Sequence, residues 1–137
     1  MAELRIDEAR VNRLDDVMAF VDGILESCDC PMRAQMQIDV AVEEIYVNIA
    51  SYAYEPDVGP AVIRMEVDPQ SREASIEFTD WGMPYDPTAK PDPDVTLSAA
   101  ERQIGGLGIY MVKQSMDSME YTRADGRNLL TIRKQLP

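Results

Sequence analysis

Three short runs, in fixed order, carry side chains able to do chemistry: Glu44-Ile45-Tyr46-Val47-Asn48, Asp80-Trp81-Gly82-Met83-Pro84 and Gly105-Gly106-Leu107-Gly108. In the first, an acid and an amide stand one helical turn apart. Glu44 could accept the proton of an attacking hydroxyl, and the Asn48 amide oxygen could ligate Mg²⁺, a hard cation that takes oxygen ligands. In the second, the Asp80 carboxylate at a strand end could accept a hydrogen bond from an adenine amino group, while Gly82, lacking a Cβ, lets the backbone approach the ring. In the third, a glycine turn opens an apolar helix whose free N–H groups and positive dipole end suit phosphates. Each run alone also has a plainer reading: a polar helix edge with an i,i+4 hydrogen bond, a turn, and a flexible hinge. Together they could hold the two ends of one nucleotide. The glycine run is not the Gly-x-x-x-x-Gly-Lys loop, and it lacks the third glycine of a dinucleotide fingerprint.

The elements that must position these residues follow from periodicity. Leu4-Arg5-Ile6 reads as a short first strand. Val11, Leu14, Val17, Met18, Val21 and Leu25 recur at helical spacing over roughly residues 9 to 28. A second helix runs from near Met32 to about Tyr54, with Ile38, Val42, Ile45, Ile49 and Tyr52 in a stripe about 80° wide if each residue advances about 100°. On that wheel Ala41, Glu44 and Asn48 flank the stripe and Glu43 points to solvent, so Glu44 is the acid half buried beside Asn48.

Ile63, Met65 and Val67, then Ile76 and Phe78, alternate with polar residues as two strands joined by the turn Asp68-Pro69-Gln70-Ser71. From Pro84 to about Gln103 four prolines and a short polar segment read as helical, Leu97 to Arg102, form either a mobile cover or an inert surface loop. Leu107, Ile109, Val112, Met116 and Met119 read as a third helix. Tyr121-Thr122-Arg123 and Leu129-Leu130-Thr131-Ile132 read as a hairpin around Asp125-Gly126. This order predicts an α/β (α+β) two-layer sandwich, a mixed, mostly antiparallel sheet with helices on one face.

A chain of 137 residues with 45% apolar and 28% charged residues predicts one globular domain over 1–137. Its 13 basic against 25 acidic residues, a net charge of -12, oppose sequence-independent binding to nucleic acid. The same field requires that a polyanionic nucleotide arrive with Mg²⁺ and meet local N–H donors. No stretch approaches the roughly 20 apolar residues of a membrane span, and the N-terminus has no basic region followed by an apolar run, so no membrane partner and a cytoplasmic location are expected. Cys28 and Cys30, one residue apart, are expected as reduced thiols at a helix end. The absence of histidine removes Ser-His triads, His bases and phosphohistidine, leaving proton transfer to carboxylates.

In order and spacing the three runs resemble the GHKL ATP-binding fold of gyrase-type ATPases, Hsp90-type chaperones, histidine kinases and anti-sigma-factor serine kinases, most of all the small RsbW-like anti-sigma regulators. Val42-Glu43-Glu44 with Asn48 and Tyr52-Ala53-Tyr54 resembles the first box of that family. Asp80-Trp81-Gly82-Met83-Pro84-Tyr85-Asp86-Pro87 resembles the second, and Gly105-Gly106-Leu107-Gly108-Ile109 with Met116-Asp117 the third. The resemblance implies Glu44 as general base, Asn48 as Mg²⁺ ligand and Asp80 as adenine reader. It implies Gly106 and Gly108, within Gly105 to Gly108, as phosphate-loop residues, Arg102 as a phosphate contact, and residues 84–104 as an ATP lid. It further implies a homodimer that binds a sigma factor and uses ATP to phosphorylate a Ser or Thr on a STAS-type antagonist. The alternative is a non-catalytic switch module in which ATP only shapes a partner surface. Where the family often carries a basic or His residue after its Asn, this chain has Ser51.

Overall fold

The computed structural model describes residues 1–89 and 106–137. Its regular elements are β1 (Ala2–Ile6), α1 (Leu14–Ser27), α2 (Met32–Asn48), β2 (Ala61–Val67), β3 (Glu73–Asp80), α3 (Gly106–Ser115), β4 (Ser118–Ala124) and β5 (Arg127–Gln135). The strands form one sheet in the order β1-β2-β3-β5-β4, and its largely antiparallel character is complete, since every pairing is antiparallel.

Period-2 alternation sorts the strand residues into rows that cross the sheet. Leu4, Ile63, Phe78, Leu130 and Tyr121 make one row, and Met65, Ile76, Ile132 and Met119 a second. Both face the helices. Val17, Val21 and Leu25 of α1, Ile38, Val42 and Ile45 of α2 and Val112 of α3 close the core over them. Each such buried side chain contributes about 1.5–3 kcal/mol. The opposite face carries ion pairs of Arg64 with Glu3 and Glu77 and of Arg133 with Glu120, partly exposed and worth at most about 1 kcal/mol each. Core burial, not surface charge, therefore joins the layers. A third row on the helix side, Ala61, Asp80, Asn128 and Arg123, continues the same phase but turns polar.

The turns follow their residue chemistry. Asp125 (φ 54°) and Gly126 (φ 73°) both occupy the left-handed region, which lets two central residues link β4 to β5 with the right twist. Asp68 Oδ1 accepts the N–H groups of Gln70 and Ser71 at 2.8 and 2.9 Å, closing the β2–β3 turn.

Three helix limits differ from the periodic reading. The first helix starts at Leu14, because Val11–Arg13 form a 3₁₀ turn that leaves Val11 exposed. The second stops being α-helical after Asn48 and continues as one π-helical turn over Ile49–Ala53. This wider turn changes the angular advance, so Tyr52, placed on the apolar stripe by a uniform wheel, is 61% exposed. The third ends at Ser115, and Met119 belongs to β4, where it pairs with Ile132. The segment Leu97 to Arg102 lies outside the described residues. Cys28 and Cys30 are free thiols at the end of α1, with burial pushing the Cys30 thiol up.

A carboxyl cluster lies on the α1–α2 seam. Burial, then hydrogen bonding to and repulsion from Asp22, then repulsion from Glu26, push Asp39 up to about 7. Asp39 Oδ1 is buried without a partner among the described residues, and Asp22 Oδ1 accepts from Gln35 at 3.2 Å. The folded carboxyl binds its proton more tightly than the unfolded one, so its contribution is fully present below the ordinary carboxylate range and is lost as pH rises through about 7. Asp39→Asn should therefore raise the melting temperature by a few degrees at pH 8 and flatten its decline between pH 5 and pH 8. Parallel pH profiles for the two proteins would contradict this assignment.

Candidate functional site

The polar row at the end of β3 opens into a cavity of about 380 Å³. Ile45 and Asn48 of α2, Ile49, Tyr52 and Ala53 of the π turn, Phe78 and Asp80 of β3 and Ile109 of α3 form much of its wall. Met83, Pro84, Tyr85 and Pro87 close one side, and Tyr121, Asn128 and Leu130 come from the terminal hairpin. Apolar walls with a few convergent polar groups, at this volume, suit a small-molecule ligand. The π turn matters here because it turns the Tyr52 side of the helix toward the opening, as such turns often do at functional sites.

Asp80 is 5% exposed because the strand alternation that buries Ile76 and Phe78 also buries it. Its Oδ1 accepts from the Gly82 N–H and from Asn128 Nδ2, both at 2.9 Å. Oδ2 makes no hydrogen bond to any described residue, on a side chain that lines the cavity. Oδ2 is therefore open to the cavity, free to accept from water or from the donor of an incoming ligand. Gly82 is glycine for a local reason. A Cβ there would collide with the backbone carbonyl of Ala53, whose oxygen accepts the Met83 N–H at 2.9 Å. The strap after β3 is thus sewn to the π turn.

Glu44 and Asn48 are both half buried while Glu43 is exposed, as the wheel requires. No hydrogen bond joins the pair among the described residues, so the i,i+4 helix-edge reading is not realised, and Asn48 lines the cavity. The Glu44 carboxylate lies against the first turn of α3, where the positive end of the helix dipole favours negative charge. Burial first, and the Glu44 charge second, push the Tyr85 phenol up, which puts that phenol within the field of Glu44. Gly106, Leu107 and Gly108 belong to the opening turn of α3, and Arg102 and Gly105 lie outside the described residues.

A Cβ at Gly108 would collide with the Glu44 carboxylate. That carboxylate is the free end of a flexible side chain, so it gives way before the helix does. Gly108→Ala should keep its melting temperature within a few degrees while the function that depends on Glu44 falls at least about tenfold. An active variant, or one that fails to fold, would show that Gly108 is not there to seat Glu44.

Periodicity alone does not reveal the supports of this site. Tyr54 donates to the Pro60 carbonyl at 2.5 Å and accepts the Trp81 N–H at 2.8 Å, tying the end of the π turn to the end of β3. Asn128 donates to Asp80 and to the Met83 carbonyl and accepts from Tyr121 and Arg123. The available signal was an asparagine on the inward phase of a strand otherwise buried with Leu130 and Ile132. Among the described residues no group of three or more acidic, Cys or His side chains could hold a metal alone. A hard cation here would depend on Asn48 together with ligand oxygens.

The histidine kinase-like ATPase domain profile matches residues 8–134. The chain belongs to that family. A curated relative, the serine/threonine-protein kinase BtrW of Bordetella bronchiseptica, is 33% identical over 100 residues, covering 73% of this chain and 70% of the relative. Among solved structures, the RsbU and RsbW domains of Rv1364c from Mycobacterium tuberculosis align with a TM-score of 0.65 at 15% identity. That alignment covers 99% of this chain, which spans only 33% of the larger one. The SiaB-SiaC complex from Pseudomonas aeruginosa aligns with a TM-score of 0.60 at 13% identity, over 98% of this chain and 89% of the other. These structural likenesses establish the fold of a histidine kinase-like ATPase domain. Among the described residues no helix is long and apolar enough to cross a membrane.

Proposed function

We propose that this histidine kinase-like ATPase domain is an ATP-dependent serine/threonine protein kinase and anti-sigma regulatory factor. It binds a sigma factor and phosphorylates a STAS-type antagonist, working as a cytoplasmic homodimer in transcription regulation. The observation that carries the nucleotide reading is Asp80, a buried carboxylate with one oxygen tied down and the other uncommitted at the wall of an apolar cavity. The kinase reading is supported by similarity to a relative named as a serine/threonine-protein kinase, and the anti-sigma reading by the resemblance to RsbW-like regulators.

In this reading Asp80 Oδ2 accepts the adenine amino group while the apolar walls exclude water from the base. The α3 first turn, with Gly106, Leu107 and Gly108 and the preceding Gly105 and Arg102, receives the phosphates, and residues 84–104 are the lid. Asn48 holds Mg²⁺ through its amide oxygen. Bound Mg²⁺ neutralises phosphate charge that the net charge of -12 would otherwise oppose. Glu44 takes the proton of the acceptor hydroxyl as that oxygen bonds to the γ-phosphorus. The bond from the γ-phosphorus to the bridging oxygen breaks, and ADP leaves.

Mixing the protein with radiolabelled ATP, Mg²⁺ and a STAS-domain antagonist tests the reading. Label on a Ser or Thr of the antagonist, with loss of its hold on the kinase, is the expected result. No label, with partner binding that still responds to nucleotide, would replace the kinase by the non-catalytic switch.

A further inference from the structure

Asn128 stands opposite Asp80 in the β3–β5 register and is 6% exposed. All of its hydrogen-bonding capacity is committed. Nδ2 donates to Asp80 Oδ1 and to the Met83 carbonyl, both at 2.9 Å. Oδ1 accepts from the Tyr121 hydroxyl at 2.5 Å and from Arg123 Nη1 at 3.1 Å, and the same guanidinium nitrogen also donates to the Gly82 carbonyl at 2.7 Å. A guanidinium can only donate. The Asn128 amide therefore cannot reverse without turning its own N–H₂ toward Arg123. With that orientation locked, Asp80 Oδ1 receives two N–H donors and Oδ2 is left as a pure acceptor at the cavity wall. An acceptor held in this way rewards a base that offers a donor and rejects one that offers a carbonyl oxygen.

We infer that Asn128, locked by Arg123 and Tyr121, is a positioning residue that orients Asp80 and makes the cavity selective for purine nucleotides bearing an amino group over those bearing a carbonyl at the same position. The inference rests on the reading of Asp80 as the base-contacting residue. It goes beyond that reading by assigning the discrimination to a side chain that need not touch the base.

The test is a calorimetric titration of the full chain with Mg-ATP and with Mg-ITP, which differ at the amino position of the base. Wild type should bind ATP at least about 30-fold more tightly than ITP, the range of one hydrogen bond to a charged group. In Asn128→Ala the ratio should fall below about fivefold, with ITP affinity changed by less than about threefold. An unchanged ratio in Asn128→Ala, or equal weakening toward both nucleotides, would overturn the inference, the second outcome reducing Asn128 to a structural role. Should Asn128→Ala fail to fold, Arg123→Met, at an exposed position, should lower the ratio about threefold, and no change there would overturn the inference equally. Loss of discrimination in wild type itself would instead remove the underlying reading of Asp80.

Discussion

Glu44→Gln should transfer phosphate to the antagonist at least about 100-fold more slowly than wild type while binding Mg-ATP within a few-fold of it. The two side chains are nearly the same size, so the contact with the α3 first turn survives. What changes is proton affinity: a neutral amide cannot take the proton of the attacking hydroxyl. Measuring single-turnover transfer and nucleotide affinity on the same preparation separates the roles. Equal transfer by both proteins would remove Glu44 as the base, and equal loss of binding and transfer would make it a binding residue.

Asp80→Asn should weaken Mg-ATP binding by about 30- to 100-fold with little change in thermal stability. The substituted side chain can still accept from the Gly82 N–H and Asn128 Nδ2 through its carbonyl oxygen, which is why the fold tolerates it. The outward atom then becomes an N–H₂ donor, which meets the base amino group as donor against donor. The same change should improve binding of ITP relative to ATP, which a general loss of structure would not produce. Calorimetry with both nucleotides checks this, and undiminished ATP affinity would exclude Asp80 from the base pocket.

The burial of these two side chains is the most legible feature of the chain, for a simple reason. Glu44 is separated from Glu43 by helical phase alone, and the burial of the two residues follows that phase. Asp80 sits two residues beyond Phe78, on the inward phase of a strand that any alternating pattern reveals. The strands, the Asp125-Gly126 turn and the single covered face follow from period and turn chemistry in the same way.

What escaped the sequence reading depends on elements meeting in space. The π turn at Ile49–Ala53 leaves the apolar period too slightly disturbed to be read, yet it decides that Tyr52 lines a cavity and not the core. Gly82 looked like room for a ring, whereas the described neighbour that demands glycine is the Ala53 carbonyl, set by how the π turn meets the strap after β3. Tyr121, Arg123 and Asn128 come within reach of Asp80 only because β5 pairs with β3 in one register. The Asp22–Asp39 pair likewise exists only once α1 lies against α2. Met119 fits a helical spacing and a strand spacing equally well, and pairing with Ile132 settles it.

The most direct measurement is calorimetric titration of folded wild-type protein with Mg-ATP. Saturable heat at one nucleotide per chain, abolished or strongly reduced by Asp80→Asn, is the predicted result. A flat titration on protein that melts cooperatively would contradict the assignment of this cavity to a nucleotide.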